Sequence, residues 1–175
     1  TTGTYMQIRP ALTSLLGKPT TEIRELLTDE LANFQKMKTA DLRKGTKPAE
    51  MIYTAAGLAE WDQHVTGKLS DETEVALKLM FKVQEEDGTW GSLGCWPPFE
   101  SSAYQEATVA AMAMTAAPGW LKKMDDKKLK SGVKNLKEYL RKTKPPHDYG
   151  RVLLLWAAAR VPGLVSSAQQ EELTK

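Results

Sequence analysis

The chain has 175 residues, 41% of them hydrophobic and 26% charged, which fits one modest globular domain with a real core. A formal net charge of +2 is too small to imply a nucleic-acid partner. No apolar run reaches the roughly 18–20 residues of a membrane span, and Cys95, the only cysteine, excludes a disulfide within the chain.

Residues 1–19 carry Gly3, Pro10, Gly17 and Pro19 and read as an irregular lead-in. No signal peptide is visible. The first residue is Thr1, so the N-terminus is expected to be processed, trimmed or cut from a longer chain. The domain proper is read as residues 20–175. Segment 21–38 places Ile23, Leu26, Leu27, Leu31, Phe34 and Met37 at i, i+3, i+4 spacing, the pattern of a helix with one buried face. Gly45 and Pro48 punctuate its end. Segment 48–65 differs, since Ile52, Ala55, Ala56, Gly57, Leu58, Ala59 and Trp61 leave little polar surface in its middle. Gly67 stops it.

Ser70 is a good N-cap, and Asp71 and Glu72 suit the positive end of a helix dipole. Segment 70–85 buries Val75, Ala76, Leu79, Met80 and Val83, with Glu74, Lys78 and Lys82 as a charged stripe opposite. Segment 101–117 is the least polar of the chain: from Ala107 to Ala117 only Thr108 and Thr115 are not apolar. Pro118-Gly119 ends it. Segment 127–143 is one-sided again, with Leu129, Val133, Leu136 and Leu140 among lysines, and Pro145-Pro146 breaks it. Segment 149–160 holds Val152–Trp156 and three alanines and reads as buried. After Pro162-Gly163, Ser166 and Ser167 followed by Gln169 and Gln170 mark a new helix start.

One-sided and all-round apolar segments therefore alternate, and period-2 strand patterning is absent. A helix apolar on all sides must be enclosed. The simplest architecture has an inner and an outer layer, with consecutive helices switching between them. Enclosed segments begin near 48, 101 and 148, an approximate repeat of about 50 residues. The prediction is an all-α domain of six full helices, with a seventh starting near Ser167.

The run Gln84-Glu85-Glu86-Asp87-Gly88-Thr89-Trp90 reads Q-x-x-x-G-x-W at the end of a helical segment. A Gln there can cap orphan carbonyls. A Gly four residues on can take the left-handed conformation that reverses the chain. A Trp two further on can lay its face across the turn and the next helix. These residues resemble the QW motif of triterpene cyclases and their relatives. The resemblance implies an α/α-toroid, here a partial ring of alternating inner and outer helices in about three pairs. Its specific part is residues 84–117, and it is closest to squalene-cyclase-like repeat domains of large bacterial proteins, often exported ones, which favours a periplasmic or extracellular location. Some of those carry a Cys-x-x-Cys-His haem segment; this chain has none, so no cofactor is implied.

Triterpene cyclases protonate an alkene through D-x-D-D-T-A at the start of an inner helix. The comparable stretch here is Pro98-Phe99-Glu100-Ser101-Ser102-Ala103, which keeps one carboxylate, Glu100. Asp125-Asp126, in a lysine-rich linker, does not restore the pattern. The D-x-C zinc signature of protein prenyltransferases is also missing, because Leu93 stands two residues before Cys95. Cyclase activity is read as lost or never present, and no metal site is expected.

Each candidate carries two readings. Gln84, Gly88 and Trp90 read as a structural tie. Glu100 is a cavity acid or a dipole-stabilised carboxylate at a helix N-terminus. Trp96, Phe99 and Tyr104, with Trp90, line a cavity for a flat hydrophobic ligand, or pack the turn. His64 and His147 show no metal spacing. Cys95 is a small packed residue unless an electropositive neighbour activates it. The basic run from Lys122 to Lys144, with ten Lys or Arg against Asp125, Asp126 and Glu138, is a solvated helix face or meets an anionic surface.

The functional expectation is a non-catalytic structural or binding module that takes a hydrophobic ligand or a partner domain. The alternative is a divergent isoprenoid-related enzyme using Glu100. An arc of three pairs leaves apolar flanks uncovered. Further helical pairs or domains of a longer chain, or self-association, are therefore the expected partners.

Overall fold

The computed structural model describes residues 2–91 and 102–174, and these are mostly helical, with no strand among them. In chain order the helices are α1 (Thr2–Ile8), α2 (Thr13–Leu16), α3 (Thr21–Lys36), α4 (Thr39–Leu42), α5 (Lys47–Trp61), α6 (Asp71–Lys82), α7 (Ala103–Ala116), α8 (Trp120–Lys123), α9 (Lys127–Lys142), α10 (Asp148–Arg160) and α11 (Ser167–Leu173). A 3₁₀ turn at Pro10–Leu12 links α1 to α2, and a π-turn, Asp62–Thr66, extends α5.

Local chemistry accounts for the boundaries. Ser70, Ser102 and Ser166 each accept a hydrogen bond from the backbone N–H three residues on, opening α6, α7 and α11. At Ser166, Gln169 returns the bond, completing a capping box. Asp126 opens α9 by accepting from Lys128 N and Leu129 N, and these donors hold its carboxyl below the ordinary value. Gly67 closes the π-turn in the left-handed conformation, at φ 69°.

Helices α5 and α7 are enclosed on nearly every side. Ile52, Ala55, Leu58 and Ala59 in α5, and Ala107, Ala110, Ala111 and Met114 in α7, are fully buried. Contacts arrange the long helices in two rows. α1, α5, α7 and α10 are successive neighbours in one, and α3, α6 and α9 in the other. α5 also packs on α3 and α6, α7 on α9, and α10 on α11. Gln105, near the start of α7, bonds Tyr53, in the first half of α5. Residues Glu60, Ala116 and Arg160 meet at the ends of α5, α7 and α10. These three helices therefore run parallel.

Beyond the short helices α4 and α8, which the sequence reading did not include, the structure departs from it in three places. The lead-in 1–19 holds α1, a 3₁₀ turn and α2 rather than irregular chain. Gly3 is a packing residue there, not a breaker: a Cβ on it would stand 2.6 Å from Tyr53 Cβ. Gly57 answers from the other side, where a Cβ would meet Met6 Cβ at 2.8 Å. The two glycines let α1 lie directly on α5, and Met6 is wholly buried between the helices. Second, Leu26, expected on the buried face of α3, is 59% exposed. Third, α10 is buried on one side only: Leu153, Leu154 and Ala157 face inward while Tyr149 and Val152 are exposed, because α10 ends the first row among the described residues.

Candidate functional site

The turn after α6 is built by the three residues singled out in Q-x-x-x-G-x-W. Gln84 Nε2 donates to Gly88 O (3.0 Å) and to Gly132 O of α9 (3.1 Å). It thus ties the turn to a neighbouring helix, where the sequence suggested the carbonyls of its own helix end. Gly88 has φ 91°. The Trp90 indole is buried and folds back on α6, where Nε1 donates to Met80 O (2.8 Å) and the ring lies 5.9 Å from Phe81. Trp120 of α8 stacks on the same Phe81, at 5.9 Å. This corner is a packed junction of α6, α8 and α9.

Of the proposed ligand-binding residues, Trp96, Phe99 and Glu100 lie outside the described residues, as does Cys95. Tyr104 is buried at the start of α7, with its ring 6.1 Å from Tyr139 of α9. It therefore points between the rows. Its hydroxyl has no hydrogen-bond partner among the described residues, and burial pushes its pKa up, with Tyr139 adding to the effect. His147 is the N-cap of α10: its Nδ1 accepts from Gly150 N (3.0 Å). No group of three His, Cys, Asp or Glu is placed to hold a metal among the described residues.

A charged constellation absent from the sequence reading sits where α5, α7 and α10 end. It borders a pocket of about 260 Å³ lined by Glu60, Gln63, His64, Thr115, Ala116 and Arg160. The Glu60 side chain is only 3% exposed. Its Oε1 accepts from Arg160 Nη1, and its Oε2 lies 3.2 Å from His64 Nε2. The Arg160 guanidinium stacks 5.3 Å over the Trp156 ring. Burial raises the Glu60 pKa above the ordinary 4.5, with Arg160 and His64 pulling the other way. Neighbouring Asp62 is also buried, and its Oδ2 accepts from Ser70 N (2.6 Å) and Ser70 Oγ (2.8 Å), pinning the π-turn to α6.

Chemically, Glu60 behind His64 resembles a base held by a carboxylate. Nucleophilic catalysis also needs a hydroxyl or thiol aimed at that base. Thr115, the hydroxyl of this pocket, donates instead to Ala111 O (3.1 Å) and Met112 O (3.0 Å). The cluster acts as a bridge between α5 and α10. One sequence signal pointed to it: Glu60 is the sole charge between Met51 and Trp61. Its partner, 100 residues away, carried none.

Arg160→Met is expected to destabilise by roughly 3 kcal/mol at neutral pH, the low end for breaking a buried pair because Arg160 retains 26% exposure. The pH sign follows from the raised Glu60 pKa. A carboxyl raised in the folded state favours folding while protonated, and that contribution is lost as pH rises through its folded value. Losing Arg160 removes one of the pulls that lower the Glu60 pKa, so Glu60 in the variant protonates more readily than in the wild type, and the Arg160→Met deficit should shrink as pH falls from neutral toward 4.5. Adding Glu60→Gln should recover much of it. Urea denaturation at several pH values is the check, and a pH-independent deficit would contradict the assignment.

Compared with known proteins, the chain matches no protein-family model, no curated protein and no solved structure.

Proposed function

We propose that this chain is a non-catalytic, α/α-toroid-like binding module whose end faces dock onto further helices. The observation that carries this is the state of the first row's two ends. At one end, α10 exposes Tyr149 (56%) and Val152 (60%). At the other, α1 and α2 expose Ile8 (50%), Leu15 (78%) and Leu16 (61%). Between them, α5 and α7 are sealed. Large apolar side chains grouped at the two ends of a repeat-like row suit partner packing better than solvent. The partners that fit are helices of the same kind, from another part of a longer chain or from a second copy. A hydrophobic small molecule is a further candidate ligand.

The test has two arms. Light scattering across a concentration series should show association, and Val152→Glu should reduce it without lowering the denaturation midpoint. A monomer at every concentration that is also indifferent to partner domains of the same natural protein would overturn the docking reading. Incubation with squalene should return it unchanged; a polycyclic product would overturn the non-catalytic one.

A further inference from the structure

A pocket separate from the Glu60 cluster lies between the last three helices. Helices α9, α10 and α11 enclose a pocket of about 470 Å³, within the roughly 300–1,000 Å³ of small-molecule sites. Its floor is apolar: Leu140, Leu154, Val165 and Leu173. Its rim is cationic: Arg141, Lys142, Lys144 and Arg151 line it against one carboxylate, Glu172.

The two arginines are held in place without losing their charge. Arg141 donates to Gly163 O (2.7 Å) and Leu164 O (3.3 Å). Arg151 donates to Glu172 O (3.1 Å) and Leu173 O (3.0 Å). These acceptors are carbonyls rather than carboxylates, so they fix the guanidinium groups on the wall and leave most of the charge without a close ionic partner. The rim's carboxylate contacts are weak. Asp148 reaches Arg151 at 3.4 Å but is 96% exposed, and Glu138 reaches Lys142 only at 3.9 Å. Exposed pairs of that kind contribute little.

A fixed cationic rim over an apolar floor matches a ligand with one anionic head and one hydrocarbon chain. We infer that this pocket binds a single-chain anionic amphiphile, with the carboxylate or phosphate head on the Arg141, Lys142 and Lys144 side and the chain against Leu154, Val165 and Leu173. A bare anion would leave the floor wet, and a neutral lipid would leave the cations without a counter-charge. Charge gives orientation and specificity, and apolar area gives much of the affinity.

Calorimetric titration with myristate and with dodecyl phosphate, each below its aggregation threshold, tests this. Saturable one-to-one binding is expected for one or both heads, and comparing them identifies the preferred anion. The double variant Lys142→Glu/Lys144→Glu changes two exposed side chains; Lys142 ends α9, but an exposed last-turn cation contributes little, so the variant should fold and bind at least tenfold more weakly. Leu173→Glu, which places a carboxylate on the floor, should weaken binding to a similar degree. Monomyristin, with the same chain and a neutral head, and inorganic phosphate should both bind far more weakly. The inference fails if neither anionic amphiphile binds, if the variants bind as tightly as wild type, or if monomyristin or inorganic phosphate binds equally well. Val152→Glu, on the exposed side of α10, should leave this binding unchanged, which keeps the outcome separate from the docking of the row's ends.

Discussion

Trp90→Ala is expected to lower stability by about 3–5 kcal/mol, the range for truncating a large buried aromatic. The indole is 5% exposed, so nearly all of its area returns to water or becomes a void in the variant. Two further losses add to the cavity. Met80 O loses its Trp90 donor, and Phe81 loses one of the two rings that flank it among the described residues, the other being Trp120. Since Trp90 closes a junction of α6 with α8 and α9, unfolding should remain cooperative but begin at lower denaturant. A midpoint equal to wild type would mean the turn is not part of the folded core.

Gly88→Ala is expected to be nearly as damaging, although it adds one methyl group. Two costs combine. At φ 91° a residue with a side chain is strained by roughly 1–3 kcal/mol. The new Cβ would also stand 2.5 Å from Asn135 O and 2.6 Å from Asn135 C, both backbone atoms of α9. Overpacking against a fixed backbone typically costs a further 1–3 kcal/mol, because α9 must move bodily. Gly91 supplies an internal control. Its φ is 82°, yet among the described residues nothing lies within 4 Å of its missing Cβ. Gly91→Ala should therefore cost the strain alone. The difference between the two alanine variants, read from denaturation midpoints, isolates the contact of the turn with α9. Equal losses at both positions would refute the clash.

Helix class and most helix positions were legible because both are written in local chemistry. The capping serines Ser70 and Ser166, the stopping pairs Pro118-Gly119 and Pro162-Gly163, and the one-sided pattern of α9 act within a few residues of where they stand. What depends on a distant neighbour was not legible. Gly3 looked like a break because sequence cannot show Tyr53 lying against it. The apolar run Val152–Trp156 looked enclosed because hydrophobicity states a demand for burial, not whether a neighbour meets it. The Glu60–Arg160 bridge spans 100 residues and needs α5, α7 and α10, three neighbours of one row, assembled before it exists. Of the proposed ligand residues, Tyr104 turned out to point between the rows, a direction that depends on which helix start carries it and which helix passes behind.

The common direction of α5, α7 and α10 has an electrical consequence. Each peptide group is a small dipole, and along a helix they add to about half an elementary charge at either end. Three helices side by side in the same sense do not cancel; they pool their negative poles where Glu60, Thr115 and Arg160 come together. A buried carboxylate there sits in a field that already opposes it, on top of its loss of water. Arg160, and His64 when protonated, lie where that field is most favourable to a cation. The guanidinium thus compensates the row as a whole as well as one side chain. Extending the row by another parallel helix would strengthen that pole and raise the demand for positive charge at that end.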